Sequence, residues 1–251
     1  MKIIISPAKK MNVDTDVFGH TDLPVFLSRT KELMDYMKGL SFSEAKKLWS
    51  CNDKIAEQNF ERYARMNLER GLTPAIISYE GIQYQYMAPG VFSDQEFSYV
   101  QNHLRILSGF YGVLKPFDGV TPYRLEMQAK LGVGKSRDLY DYWADSLAMT
   151  LCRDSDCIIN LASKEYSACI SNHLPDSIRF ITCVFGEVKD GKIIEKGTMC
   201  KMARGEMVRY MAENRIEDPD KIKEFSRLDY RYSAEDSDSD KFVFIKKATG
   251  G

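Results

Sequence analysis

Three small groups of side chains in this sequence have the types and spacing to do chemistry. The first lies in the stretch His103–Met127, HLRILSGFYGVLKPFDGVTPYRLEM, which carries Arg105, Lys115, Tyr123, Arg124 and Glu126. The second is Ser163, Lys164 and Tyr166, just beyond the apolar run Cys157–Leu161. The third is Lys201 and Arg204, spaced to share one face of a helix a turn apart. An arginine fork holds a phosphate through two parallel hydrogen bonds, whereas a lysine acts as a point charge. A tyrosine beside such cations can stack on an exposed base. A carboxylate beside an arginine, as Glu126 is to Arg124, can take a proton or activate water; it can equally be an ion pair that only supports the arginine. For each group the plain structural alternative is a solvated basic face or a helix cap. No nucleophile elbow, catalytic-cysteine signature or metal triad indicates a reaction class. An enzyme would have to use Arg124, Glu126 and Lys164.

The elements that must position these groups read as follows. Lys2–Ile5 is a short buried strand running into the loop Ser6-Pro7-Ala8-Lys9-Lys10, where Lys9 and Lys10 stand ready for an anion. Pro24–Leu40 has apolar residues at helical spacing. Ser41-Phe42-Ser43-Glu44 is a capping box that opens a second helix, and a third follows Asn52. These last two, over about residues 41–68, look like a helix-hairpin-helix unit, which holds a DNA phosphate on backbone amides without reading sequence. Lys46, Lys47 and Lys54 are its available cations. A plain helical hairpin fits the same residues, because the turn lacks Gly-x-Gly. Pro74–Tyr79 reads as a strand, and Ser93-Asp94-Gln95-Glu96 as another capping box. Leu104–Leu114 is a nearly continuous buried run broken at Gly109 and Gly112, which implies sharp bends or close backbone approach. Gly-Val-Gly-Lys at 132–135 lacks the strand and full spacing of a phosphate loop. A helix is expected from Ser136 or Asp138 through Leu151. The run 157–161 is a buried strand whose polar end is a site candidate in an α/β fold. Strands 178–187 and 192–197 flank a turn at Lys189-Asp190-Gly191, Met199–Arg215 is a helix, and Tyr230–Tyr232 pairs with Phe242–Ile245.

The 251 residues, 44% hydrophobic and 28% charged, suit a globular chain read as a single domain over 1–251 of α+β (mixed α/β) class. No apolar run reaches the ~18 residues that span a bilayer, and the N-terminus is not a signal peptide. A cytoplasmic location and no membrane partner are therefore expected, and a monomer is expected as well. The six cysteines form no C-x-x-C pair, and the three histidines are far from one another with no metal-ligand cluster among them, so neither a metal nor another cofactor is expected. The net charge of −1 conceals segregation. Residues 1–12, 101–140 and 192–209 each carry a net +3, balanced by −5 over 217–240. If the three basic segments converge they make one basic face, suited to salt-dependent phosphate binding.

The motif HLR-LSG-YGVL-P-D---PYRLEM across 103–127 resembles the YaaA family of bacterial peroxide-stress proteins. The resemblance continues in Ile5-Ser6-Pro7-Ala8-Lys9, Asp138-Leu139-Tyr140 with Trp143, and Ile159-Asn160-Leu161-Ala162-Ser163 with Glu165-Tyr166. It extends to Ala203-Arg204-Gly205 and the Asp-Ser-rich turn before Phe242-Val243-Phe244, and so covers essentially the whole chain. One departure is Gly-Ile-Gln-Tyr at 81–84, where the family usually has Gly-Asp-Val-Tyr; no role for that acid carries over. The resemblance implies a compact mixed α/β "cantaloupe" fold with a helix-hairpin-helix motif. It also implies DNA binding through a basic cleft, in a peroxide response that limits free iron and hydroxyl-radical damage. The expected DNA-binding residues are Lys9, Lys10, Lys46, Lys47, Lys54, Arg105, Tyr123, Arg124, Lys164, Lys201 and Arg204, with Tyr123 stacking. Little sequence specificity and a preference for distorted or open DNA follow. The alternative is an enzyme acting on a nucleotide, or on a base in DNA, in the same cleft. Direct iron sequestration would require ligand clusters that the sequence lacks.

Overall fold

The computed structural model describes residues 1–14 and 19–247. Its first strand, β1 (Lys2–Ile5), buries Ile3, Ile4 and Ile5 completely and is followed by the two-residue β2 (Lys10–Met11). The helix expected from Pro24 begins a turn later as α1 (Leu27–Gly39), burying Leu33, Met34 and Met37. Its successor α2 (Phe42–Trp49) opens with a complete capping box: Ser41 Oγ accepts from the Glu44 amide and the Glu44 carboxylate accepts from the Ser41 amide. Such a box satisfies two orphan amides at once. Ser50 then takes a left-handed conformation, and Asn52 Oδ1 caps α3 (Asp53–Arg65) through the Ile55 amide at 3.0 Å. Two helices joined by the short turn Ser50-Cys51-Asn52 thus occupy this segment.

The strand expected over Pro74–Tyr79 is instead three short pieces, β3 (Thr73–Pro74), one turn of helix α4 (Ala75–Ser78) and β4 (Tyr79–Glu80). The reason is where its amides go. Ala75 N and Ile76 N donate to the Asp118 and Pro116 carbonyls, which pins the segment to a loop rather than to a strand. After it come α5 (Ile82–Met87), α6 (Asp94–His103) behind the Ser93 capping box, and the hairpin β5 (Leu104–Ser108) and β6 (Gly112–Leu114). Next are β7 (Gly119–Val120), α7 (Leu139–Trp143) and α8 (Ser146–Cys152). One continuous helix was expected for these last two; the chain breaks at Ala144, whose φ is 45°. Completing the chain are β8 (Cys157–Leu161), α9 (Lys164–Ser171), β9 (Arg179–Lys189), β10 (Lys192–Ile194), α10 (Gly197–Glu213), β11 (Tyr230–Tyr232) and β12 (Lys241–Lys246). The β9–β10 turn is Asp190-Gly191, both at positive φ as a two-residue hairpin demands.

The architecture is mixed α/β, built on a sheet of order β11-β12-β9-β8-β1-β5-β6 with β10 on β9. The pairs β12/β9, β9/β8, β8/β1 and β1/β5 are parallel; β11 and β6 close the edges antiparallel. The chain leaves β1 toward β5 on one side, then crosses back to place β8 on the other. Strand order therefore reverses at β1, and in open α/β sheets the crevice beyond the carboxyl ends at such a point is where ligands bind.

Two glycines bring backbone to that crevice. A Cβ on Gly109, just past β5, would stand 2.7 Å from the Leu125 oxygen and 2.9 Å from the Glu126 carbonyl carbon. Only a bare Cα lets the 123–127 segment cross there, which is the close approach its position in the sequence implied. Gly205 lies inside α10, where a Cβ would strike the Gln83 oxygen and come within 2.9 Å of Met87 N. It lets α10 press directly on α5.

Candidate functional site

A cavity of about 530 Å³ opens at the carboxyl ends of β1 and β8. Its floor is set by the residues that leave those strands. Ser6 Oγ accepts from the Ser163 amide at 2.9 Å and lies 3.3 Å from Ser163 Oγ, which ties the two strand ends together. Tyr84 Oη donates to the Ser6 carbonyl at 3.0 Å, and Asn160 Oδ1 accepts from the Ala162 amide at 2.9 Å. Ser163 is the N-cap residue of α9, yet its side chain makes no cap bond and lines the cavity.

The walls carry five cations, Lys9, Lys10, Arg124, Lys201 and Arg204, and three acids, Glu80, Glu126 and Glu165. Arg124 has a side chain only 12% exposed, with Nη2 3.2 Å from Glu126 Oε1. Lys9 Nζ approaches the other oxygen of that carboxylate at 2.9 Å, and Lys10 pairs with Glu80 at 2.5 Å. Arg204, 15% exposed, is 3.9 Å from Glu195. Lys201 has no ion-pair partner among the described residues. The Nε atoms of both Arg124 and Arg204 are buried with no acceptor in reach among the described residues. An unsatisfied buried donor is costly, which sets these two guanidinium groups apart from the exposed lysines of the same walls. The Glu165 carboxyl is pushed above its ordinary range by burial first and by the neighbouring Glu126 charge.

Beneath this wall lies a tyrosine layer. Tyr123 Oη is 2.6 Å from Ser108 Oγ and 2.8 Å from Tyr79 Oη. The ring of Tyr123 stacks on Phe110 at 4.9 Å and meets Tyr111 edge-on at 5.3 Å. Burial pushes its hydroxyl up to about 12, and raises those of Tyr79, Tyr84 and Tyr166 well above their usual values. These phenols stay protonated and serve as scaffold donors.

A family model described as "Peroxide stress protein YaaA" matches residues 1–236 of this chain. The chain belongs to the YaaA peroxide stress protein family. It is 57% identical over 247 residues to a UPF0246 protein of Agathobacter rectalis, covering 98% of this chain and 99% of the relative. A UPF0246 protein of Desulfitobacterium hafniense is 55% identical over 246 residues, with 98% of each chain covered. A third, from Lachnoclostridium phytofermentans, is 54% identical over 98% of this chain and 96% of its own.

In this YaaA-family chain the fold gathers Lys9, Lys10, Tyr123, Arg124, Lys201 and Arg204 around one cavity, together with Glu126. Tyr123 is only 5% exposed with a face already on Phe110, so it has no free face for stacking on a base and acts as floor. Lys164 is exposed on the first turn of α9 outside the cavity lining. Arg105 is not in the cleft. It projects at the amino-terminal end of the parallel strands, in a separate polar pocket with Lys2, His103, Lys115 and Asp154. Lys46, Lys47 and Lys54 belong to the helical hairpin, where Lys46 is held by Asp53. Lys47 lines a second cavity of about 690 Å³ that adjoins the first across Glu126. The sequence reading passed over Ser6, Gln83, Tyr84 and Glu165. Ser6 had a signal, as the first polar residue after a buried strand; Gln83 and Tyr84 arrive only through the packing of α5.

Among the described residues no helix is long and apolar enough to cross a membrane. Burial raises the thiols of Cys152, Cys157, Cys169, Cys183 and Cys200, those of Cys169 and Cys183 to about 12. A peroxide-reactive thiol needs the opposite shift.

Proposed function

We propose that this protein is a cytoplasmic peroxide-stress protein that binds DNA without strong sequence preference. In this reading backbone phosphates enter the cavity at the switch point, and binding helps limit iron-dependent oxidative damage. The observation that carries it is the pair Arg124 and Arg204, each nearly buried and each with an Nε–H lacking an acceptor beside the cavity. Support also comes from the lining, five bases against three acids, and from the adjoining cavity, which leads toward the cations of the α2–α3 hairpin. Contacts of this kind go to phosphate rather than to base edges, so they position a strand without specifying its sequence.

The test is fluorescence-anisotropy binding of labelled duplex, bubble and single-stranded DNA over a salt series, repeated with Arg124→Ala and Arg204→Ala. Each arginine lost from a phosphate should flatten the log–log salt slope by about 1. Absence of binding at low salt would remove the DNA reading.

One observation favours a second reading, an enzyme acting on a nucleotide or a base in DNA. Glu165 is a carboxyl with a raised proton affinity in a cationic cavity, which suits a general acid or base. Glu126 is less suited, because Lys9 and Arg124 each engage one of its two carboxylate oxygens. Turnover of a nucleotide that is lost in Glu165→Gln, with DNA affinity retained, would establish this reading over simple binding.

A further inference from the structure

Glu126 stands at the junction of the two cavities and lines both. Its carboxylate bridges two cations from distant parts of the chain: Oε1 is 3.2 Å from Arg124 Nη2 and Oε2 is 2.9 Å from Lys9 Nζ. Two oxygens of one anionic group, each on its own cation, is also how a phosphate would sit between them. The carboxylate holds neither cation firmly. Glu126 is the one hydrogen-bond acceptor of the Arg124 side chain among the described residues. That contact uses a single nitrogen at 3.2 Å, longer than the ~2.7–2.9 Å of a strong charged pair. The Arg124 Nε is sealed, so the terminal nitrogens are the end of the fork that meets the cavity. Lys9 is 64% exposed, and ion pairs of such exposure contribute little. A phosphate that accepts two parallel bonds from the fork therefore holds Arg124 better than this carboxylate does.

Glu165 lines the first cavity beside this bridge, and its Oε1 accepts from the Gln128 amide at 3.3 Å, which ties it to the segment that carries Glu126. Burial raises its proton affinity and the Glu126 charge adds to the rise, while the Gln128 amide and the Lys9 charge oppose it. A phosphate between Lys9 and Arg124 cancels the Lys9 charge and sets a further negative charge nearby. The other charged groups of the lining are Lys10 and Glu80 on the β2–β4 side, and Lys201 and Arg204 from α10. Lys10 holds Glu80 below its ordinary range, and the phenols of Tyr84, Tyr123 and Tyr166 stay protonated. We propose that Glu126 is a built-in stand-in for the ligand's phosphate: an incoming phosphodiester takes Arg124 and Lys9 from it, and Glu165 takes up one proton from solvent in the exchange. This regulation of the cleft rests on the DNA reading for the identity of the phosphodiester. Proton uptake on binding fixes the sign. Affinity is highest at low pH and falls, by at most about tenfold per unit, as pH rises past the raised value of Glu165, which lies above 4.5.

Anisotropy binding of a labelled single strand and a duplex would be measured from about pH 5 to about pH 8 at constant ionic strength, with wild type, Glu126→Gln and Glu165→Gln. Sulfate, whose charge is constant over this range, serves as the bare-anion probe, read as the rise in Tm over chloride at equal ionic strength. Wild-type affinity for DNA should weaken as pH rises. Glu165→Gln, whose side-chain carbonyl still accepts from the Gln128 amide, should give a flat profile. Glu126→Gln should bind a few-fold tighter near neutral pH and, without the charge that raises Glu165, move its pH profile to lower pH. Profiles that coincide in all three proteins, or weaker binding by Glu126→Gln, overturn the stand-in and leave the DNA reading in place. No DNA binding by any of the three, with sulfate stabilising Glu126→Gln more than wild type, keeps the stand-in and removes the DNA reading. No response to DNA or to sulfate removes both.

Discussion

Asp118 offers the sharpest test of the electrostatics beneath this fold. It is 2% exposed, its Oδ2 accepts from the Lys115 amide at 2.8 Å, and its Oδ1 is buried without a partner among the described residues. Burial is the dominant cause that pushes its carboxyl from the ordinary 3.8 up to about 6. The Lys115 amide and the charges of Lys115 and Arg105 oppose the shift, and the Asp22 charge adds to it. The sign follows. A carboxyl whose folded-state affinity for the proton is raised contributes stability in its neutral form. That contribution is complete below pH 3.8, declines as pH rises, and is gone above about 6. A shift of roughly two units is worth about 3 kcal/mol. Asp118→Asn keeps an acceptor for the Lys115 amide and cannot ionise. Urea unfolding of both proteins across this window should show the variant gaining about 3 kcal/mol relative to wild type as pH rises, then holding level. Carboxylates with lowered affinity, such as Glu80 and Glu213, give the opposite pH trend but are common to both proteins and cancel in the difference. Any cost of placing the new amide group is independent of pH and shifts only the offset. A flat difference between the two curves would refute the reasoning.

Two further outcomes bear on the cleft. Gly205→Ala drives a methyl into the α5 backbone at Gln83 and should cost about 1–3 kcal/mol in denaturant unfolding, while also weakening DNA binding because Gln83 and Tyr84 line the cavity; unchanged stability would mean that α5 and α10 are not locked together. Glu126→Gln removes the carboxylate that engages Lys9 and Arg124, so DNA binding at low salt should tighten by a few-fold and become more salt-sensitive; weaker binding in the anisotropy assay would show that Glu126 acts mainly by orienting Arg124.

Features decided by neighbouring residues were legible in the sequence. The capping boxes at Ser41 and Ser93, the buried strands β1 and β8 and the Asp190-Gly191 turn each follow from a few adjacent side chains. Gly109 was also legible as a point of close approach, although the sequence did not name the Leu125 and Glu126 backbone as its partner. Long-range hydrogen bonds were not legible. The amides of Ala75 and Ile76 find carbonyls some forty residues away, which turned an expected strand into a helical turn. Tyr123 stands next to Arg124 and reads as a stacking residue, yet the hydroxyls of Ser108 and Tyr79 draw it inward. The grouping of Lys9, Arg124 and Arg204 was expected from the family resemblance together with the segregated basic segments, while Ser6 and Tyr84 required the sheet to be assembled.

Arg105 shows why strand direction matters more than sequence proximity. It lies in the same motif as Arg124, and the two were expected in one cleft. Pairing of β5 parallel to β1, with Arg105 opposite Ile4, decides otherwise. The carboxyl end of that pair leads to Ser6 and the cavity, whereas the Arg105 guanidinium turns back to the carbonyls of Gln101 and Leu104 at the amino end. Two arginines of one motif therefore serve opposite edges of the sheet. Arg105→Ala should leave the salt slope of DNA binding unchanged, while Arg124→Ala lowers it by about 1. If both lower it equally, the strand must reach the amino edge as well, and Lys2 and Lys115, which share that pocket, would join the binding surface.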